Sequence, residues 1–236
     1  MKDGNAVRNV ASIIRDYSDE SLFVVFSAMG KTTNALEKVA QEHFYKKKFP
    51  ETELEVVKSF HAKVLQDLFP DPNSSIYEEV HNIFAELSWM LEDPPLATYD
   101  LNYDQIVSTG ELLATSIIVN HLKTENIEAQ HVDARDLIKT DDRYRSANVD
   151  WTSTEIAFKE NPNLANLQNR IFITQGFMGG DSNNFTTTLG REGSDFSASI
   201  IAYCLAAESV TIWKDVEGVL NADPKWFDGT QLIAEM

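Results

Sequence analysis

The stretch Thr186-Thr187-Thr188-Leu189-Gly190-Arg191-Glu192-Gly193-Ser194-Asp195-Phe196-Ser197-Ala198 brings a fixed cation, two glycines and a carboxylate into what reads as a strand-to-helix turn. The β-branched threonines favour an extended approach, and Gly190 and Gly193 permit backbone geometry or close contact that a side chain would block. Ser194 falls where a helix cap is expected. Ala198, Ile201, Ala202 and Leu205 then recur at helical spacing, so the first N–H groups of that helix would face the turn and attract an anion. Arg191 adds a bidentate partner for a carboxylate or phosphate. Asp195 alone reads as a carboxylate favoured by the helix dipole. Beside Arg191 and the glycines it reads as part of a site that holds a small acid next to a phosphate.

Three other segments carry residues of the same kind. Ser27-Ala28-Met29-Gly30-Lys31-Thr32-Thr33-Asn34 ends like a Walker A motif, but the pattern G-x-x-x-x-G-K-[ST] requires glycine where Val25 stands. What remains is a small-residue turn exposing backbone N–H and the hydroxyls of Ser27 and Thr33. Gln175-Gly176-Phe177-Met178-Gly179-Gly180 suits a binding loop and a plain turn equally. Trp213-Lys214-Asp215-Val216-Glu217-Gly218-Val219-Leu220-Asn221-Ala222-Asp223-Pro224-Lys225 supplies cations and acids that could hold a nucleotide and its Mg²⁺. Glu111, after Thr109-Gly110, sits at a helix start, where a carboxylate complements the dipole whether or not it has another task. The histidines at 43, 61, 81, 121 and 131 show no ligand spacing with Cys204, so no protein-held metal is expected. No Gly-x-Ser-x-Gly elbow supports a serine hydrolase.

The elements that must position these groups alternate between strands and helices. The spacing predicts a helix over 6–17, a strand at Leu22–Phe26, and helices across 36–91 broken at 69–75 and ended near Pro94-Pro95. It then predicts a strand at 105–108, a helix through Leu113, Ile117, Ile118 and His121 to Leu122, and a strand at 129–132. Residues 137–151 read as loop. A strand at 170–174, a loop over 175–184, the glycine turn with its helix, and a strand at 210–213 complete the pattern. These alternations predict an α/β fold: a mostly parallel sheet sandwiched by helices, with a helical insertion over about 36–95 and ligands beyond the carboxyl ends of the strands.

The 236 residues, 43% hydrophobic and 24% charged, can bury a sizeable core. A formal charge of −17 argues against nucleic acid, which needs a basic face. It also makes the local gathering of Arg191, Lys214 and Lys225 informative. Lys46-Lys47-Lys48 reads as a solvated helix end. The single Cys204, mid-helix among apolar residues, reads as packing and fits a reducing, cytoplasmic setting. No run approaches the ~20 apolar residues of a membrane span, and residues 1–17 lack a signal-peptide core.

At these segments, in this order, the chain resembles aspartate kinases of the amino-acid kinase superfamily. Ser27-Ala28-Met29-Gly30 with Thr33-Asn34, Gly110-Glu111-Leu112-Leu113, Thr174-Gln175-Gly176-Phe177, residues 186–198, Trp213-Lys214-Asp215-Val216-Glu217-Gly218-Val219 and Ala222-Asp223-Pro224 carry the resemblance. It implies the amino-acid kinase fold and ATP-dependent phosphorylation of the side-chain carboxylate of L-aspartate, with Mg²⁺, on the route to lysine, threonine and methionine. By the same resemblance Arg191 pairs with a carboxylate of aspartate, and Glu111 binds its ammonium or supports the site. Ser27, Thr33, Phe177, Gly193 and Ser194 line the pocket, and Asp195 organises the transfer. Lys214, Asp215, Leu220 and Lys225 meet the nucleotide, within a nucleotide-binding part spanning 170–236. Lys214, Leu220 and Lys225 stand where the family usually has Thr, Tyr and Arg, which weakens the expected stacking and phosphate contacts. The family opens on a Lys-Phe-Gly-Gly-Thr-Ser turn and closes with further kinase segments and ACT domains. The chain is therefore expected to be a catalytic domain cut at both ends, poorly active alone, and homo-oligomeric in its full-length form. Two other readings fit the residues: another amino-acid kinase, or a non-catalytic amino-acid- or nucleotide-binding subunit.

Overall fold

In the computed structural model, which describes residues 1–168, 170–214 and 218–233, β1 (Leu22–Phe26), β2 (Ala129–His131) and β3 (Ile171–Gln175) form a parallel sheet in the order β1-β3-β2. Leu22 is paired with Ile171, Phe26 with Gln175, and Ala129 also with Ile171. Central β3 is buried along its whole length, and its side chains alternate between two cores, as strand geometry requires. Ile171 and Ile173 join a large core with Val7 and Ala11 of α1 (Gly4–Asp16) and Leu113, Ile117 and Ile118 of α6 (Thr109–Thr124). Phe172 faces the other way, stacking on Phe23 at 5.6 Å and packing with Ile200 and Ile201 of α9 (Gly193–Leu205). Helices thus cover both faces of the sheet, the arrangement expected from the sequence.

Between β1 and α6 the chain is helical. α2 (Thr32–Lys46), α3 (Glu51–Leu68) and α4 (Ser75–Glu92) bury residues at helical spacing, as in Leu54, Val57, His61, Val64, Leu65 and Leu68 of α3. Besides the break expected at 69–75, the structure has one between α2 and α3, where Lys47 adopts φ 50° and Pro50 precedes α3.

Residues 105–108 are not a strand. Residues 105–107 belong to α5 (Tyr99–Val107), whose N-terminus is capped by Thr98 Oγ1, which accepts the Leu101 N–H at 3.2 Å, and Ser108 is the turn between α5 and α6. A four-residue window hides the period. Over the whole helix the buried Asn102, Tyr103, Ile106 and Val107 follow helical spacing. Glu111 accordingly follows a helix rather than a strand.

The expected strand at 210–213 is also absent. Val210, Ile212 and Trp213 are exposed, and no described strand pairs with them, so their apolar character finds no ladder to join. The expected loop over 175–184 contains β4 (Met178–Gly180), which pairs antiparallel with β5 (Thr186–Thr188). α7 (Ala134–Leu137) and α8 (Trp151–Glu160) flank the loop between them. Cys204 is half-buried against the smaller core, where burial pushes its thiol up to about 11. No helix among the described residues is long and apolar enough to cross a membrane.

Candidate active site at the strand ends

The carboxyl ends of β1 and β3 are tied together, since Gly176 donates its N–H to the Phe26 carbonyl at 2.8 Å. Beyond them lie the Ser27-Ala28 turn and the Gly176-Phe177 corner, where Phe177 adopts φ 68°. The start of α9 packs directly on that corner. A Cβ on Gly176 would come within 2.6 Å of Ser194 Cβ and Oγ, and 2.8 Å of its Cα. Only a glycine lets the helix approach so closely. Ser197 Oγ accepts the Phe177 N–H at 3.0 Å and donates to the Gly193 carbonyl at 2.9 Å, locking the corner to the first turn of α9.

Ser194 does not cap α9. The capping position is Glu192, in left-handed geometry at φ 54° and without a side-chain cap bond. α9 begins at Gly193, so Ser194 lies in the first helical turn and its Oγ accepts from Ser27 Oγ at 2.8 Å. Ser27, Phe177, Gly193 and Ser194 are therefore brought together.

Glu111 approaches the same turn from beneath. Its Oε1 accepts the Ala28 N–H at 3.1 Å, whereas Oε2 is buried without a partner among the described residues. Gly110 makes this possible, since a Cβ there would meet Ala28 Cβ at 3.0 Å and Thr32 Cγ2 at 3.2 Å. With 2% of its surface exposed, Glu111 is pushed up to about 8 by burial, against the lowering effect of the Ala28 N–H. Thr33 sits half-buried in the first turn of α2, next to that contact.

Charge gathers on the outer side of the turn. Lys214 Nζ lies 2.8 Å from Asp195 Oδ2 and 2.9 Å from Glu192 Oε2, and these bonds raise its pKa. Arg191 is exposed and has no ion pair among the described residues, so its guanidinium is open to an anion. Leu220 and Lys225 are not brought to this turn. Leu220 bridges to Leu232, the Lys225 N–H bonds Asp223, and no hydrogen bond or ion pair among the described residues links 218–233 to residues 190–195. Asp215 lies outside the described residues.

Other residues that matter here escaped sequence reasoning. Gln175, fully buried, accepts from Ala134 N at 3.0 Å and reaches Thr115 Oγ1 at 3.2 Å and His131 Nε2 at 2.9 Å, joining β3 to α6, β2 and α7. Asp104 and Gln105 of α5 bond to β5. Their only signal was polar character on a buried helix face, hidden because residues 105–108 read as a strand and Asp104, just before them, lies outside any predicted element.

A parallel sheet with a helix start, an open guanidinium and a buried carboxyl beyond its strand ends is an arrangement whose chemistry suits a small zwitterion or anion. The chain belongs to the amino acid kinase family, whose model matches residues 1–236. It is similar to the lysine-sensitive aspartokinase 3 of Escherichia coli K12, with 32% identity over 238 aligned positions covering 100% of this chain and 51% of that protein. The chloroplastic aspartokinase 1 of Arabidopsis thaliana is 33% identical, over 92% of this chain and 39% of its own. A crystal structure of E. coli aspartokinase III in complex with aspartate and ADP (R-state) superposes with a TM-score of 0.84 and 31% identity, covering 98% of this chain and 50% of that one. The chain thus spans about half the length of these bacterial relatives.

Proposed function

We propose that the protein is an aspartate kinase acting on L-aspartate and ATP, in the biosynthesis of lysine, threonine and methionine. The observation that carries this reading is the meeting, through Ser27-Ala28 and Ser194, of an unpartnered buried carboxyl at Glu111 with the turn that presents the open guanidinium of Arg191. These groups complement the ammonium and carboxylate of one amino acid. Its likeness to a relative whose structure holds aspartate and ADP supports aspartate among such acids.

In this reading Glu111 holds the ammonium and Arg191 the α-carboxylate, leaving the side-chain carboxylate beyond the start of α9. Ser27, Thr33, Phe177, Gly193 and Ser194 wall the pocket. An oxygen of the side-chain carboxylate bonds to the γ-phosphorus as the bond to the departing ADP oxygen breaks, giving 4-phospho-L-aspartate. The nucleophile is already ionised, so the protein supplies position and charge rather than a base. Asp195, held by Lys214, keeps the reacting groups in line, and Lys214, Asp215, Leu220 and Lys225 belong to the nucleotide side.

No cluster of three or more His, Cys, Asp or Glu that could hold a metal occurs among the described residues. Mg²⁺ would arrive on the ATP phosphates, whose oxygens would supply most of its ligands. When bound it neutralises charge on the transferring phosphoryl group. A cytoplasmic location and a homo-oligomer in the longer protein complete the proposal.

Calorimetric titration of the 236-residue chain with L-aspartate, L-glutamate and N-acetyl-L-glutamate tests the reading, with an ADP-coupled assay beside it. Aspartate should bind at least ~10-fold more tightly than either competitor. Preference for a five-carbon acid would assign a different amino-acid kinase activity. Aspartate binding with no ADP release would favour the binding-subunit reading.

A further inference from the structure

β5 delivers the chain to the Arg191–Ser194 turn, and one of its edges is held by β4. The other edge meets a helix instead of a strand. Gln105 of α5 accepts the Thr186 N–H at 3.1 Å through Oε1 and donates Nε2 to the Thr186 carbonyl at 2.7 Å. A side-chain amide thus makes the pair of bonds that a neighbouring strand would make.

One residue earlier on α5, Asp104 is fully buried. Its Oδ2 accepts the Thr188 N–H at 2.8 Å, and its Oδ1 accepts the Thr188 hydroxyl at 2.7 Å. The same carboxyl accepts the Arg145 N–H at 3.0 and 3.1 Å. Arg145 stands at φ 65°, and its guanidinium lies over Tyr103 at 4.5 Å and beside Asp100 at 3.4 Å. The Thr188 carbonyl in turn accepts the Ala147 N–H at 3.0 Å, so every polar group of Thr188 is held. The next residues are Leu189, bonded to the Phe177 carbonyl at 2.8 Å, and the Gly190 turn itself.

α5 runs through Ser108 into α6, which carries Glu111. We propose that Asp104 and Gln105 are positioning residues that clamp β5 to the helix pair bearing Glu111, setting the span between Glu111 and the Arg191–Ser194 turn and hence the length of amino acid the site accepts. This rests on the aspartate reading above. The clamp acts through backbone groups of β5 and the Thr188 hydroxyl. A site whose two ends are held at a fixed span separates a four-carbon from a five-carbon acid, and loosening by an ångström erodes that separation.

The test compares Asp104→Asn, Gln105→Ala and Thr188→Val with the unaltered 236-residue chain, measuring affinity for L-aspartate and L-glutamate and the unliganded Tm. Asp104→Asn should weaken aspartate by roughly 10-fold or more and lower the aspartate-to-glutamate ratio at least ~3-fold, with smaller changes of the same sign in the other two. A purely structural role predicts a lower Tm with the ratio unchanged in all folded variants, and that result overturns the proposal. Should Asp104→Asn fail to fold, Gln105→Ala and Thr188→Val decide it by the same ratio. If the unaltered chain binds neither acid, the aspartate reading falls and the clamp falls with it. If it binds aspartate and the variants keep the ratio, only the clamp falls.

Discussion

Replacing Glu111 with Gln isolates the charge of the buried carboxyl from its shape. Burial raises the group from an ordinary 4.5 to about 8, so at pH 7 roughly nine tenths of the unliganded molecules carry it as the neutral acid. An ammonium arriving at Oε2 would ionise it, and binding of aspartate at pH 7 should then release roughly 0.9 proton. Gln keeps an acceptor for the Ala28 N–H and cannot ionise. Its Tm at pH 7 should lie above the parent's, by up to about 3 kcal/mol or roughly 6–12 °C in a chain of this size, because the parent must take up a proton on folding and Gln need not. Losing one partner of a buried charged pair costs ~2–5 kcal/mol, so aspartate affinity should fall roughly 30-fold or more. Calorimetry in two buffers of different ionisation enthalpy reads both quantities, affinity and proton release. A Glu111→Gln protein that binds aspartate within ~3-fold of the parent, with an unchanged proton count, would refute an ammonium at Oε2 and leave Glu111 as a support for the Ser27-Ala28 turn.

The same group ties stability to pH. Because the folded form holds the Glu111 proton more tightly than the unfolded chain, its contribution is full below about 4.5 and is lost as pH rises through about 8. The parent should therefore lose about 2 kcal/mol, roughly 4–8 °C of Tm, relative to Glu111→Gln between pH 6.5 and 9. The lowered His61, His121 and His131 act in the opposite sense, but both proteins carry them, so their contribution cancels in the comparison. A parallel pH course for the two proteins would contradict the raised value. Gly176→Ala drives a methyl into the backbone and side chain of Ser194, so it should destabilise by ~1–3 kcal/mol in urea unfolding and weaken aspartate binding; a neutral effect would mean that α9 can back away from the corner. Gln175→Leu strips the Ala134 N–H of its acceptor within a buried network, and a loss of ~1–3 kcal/mol should appear in the same measurement, whereas an unchanged midpoint would show that the network repacks.

How far the fold and site could be read from the chain depended on the range of the interactions involved. The unbroken apolar run Leu22–Phe26 and the helical stripes of α1, α3 and α6 are local patterns, and each forms the element its composition and spacing predict. Residues 105–108 misled because strand and helix periods cannot be separated over four positions. Residues 210–213 have strand composition, yet a strand exists only where a partner supplies the ladder. Among the site residues, types and order were enough to single out Ser27, Glu111, Phe177 and the turn carrying Arg191, Gly193, Ser194 and Asp195. Their protonation and partners were not legible.

By itself the sequence determined which residue types stand in which turns, because residue type and short spacing decide what chemistry is available. Only the tertiary structure decided that Glu111 is sealed under the Ala28 N–H and held near pH 8, that Ser194 meets Ser27 rather than capping α9, and that Lys214 is engaged by Asp195 and Glu192. It alone revealed α5 standing in for a strand beside β5. Desolvation and hydrogen-bond pairing depend on what the rest of the chain brings into contact, and groups 81 to 84 residues apart carry no mark of one another in the sequence.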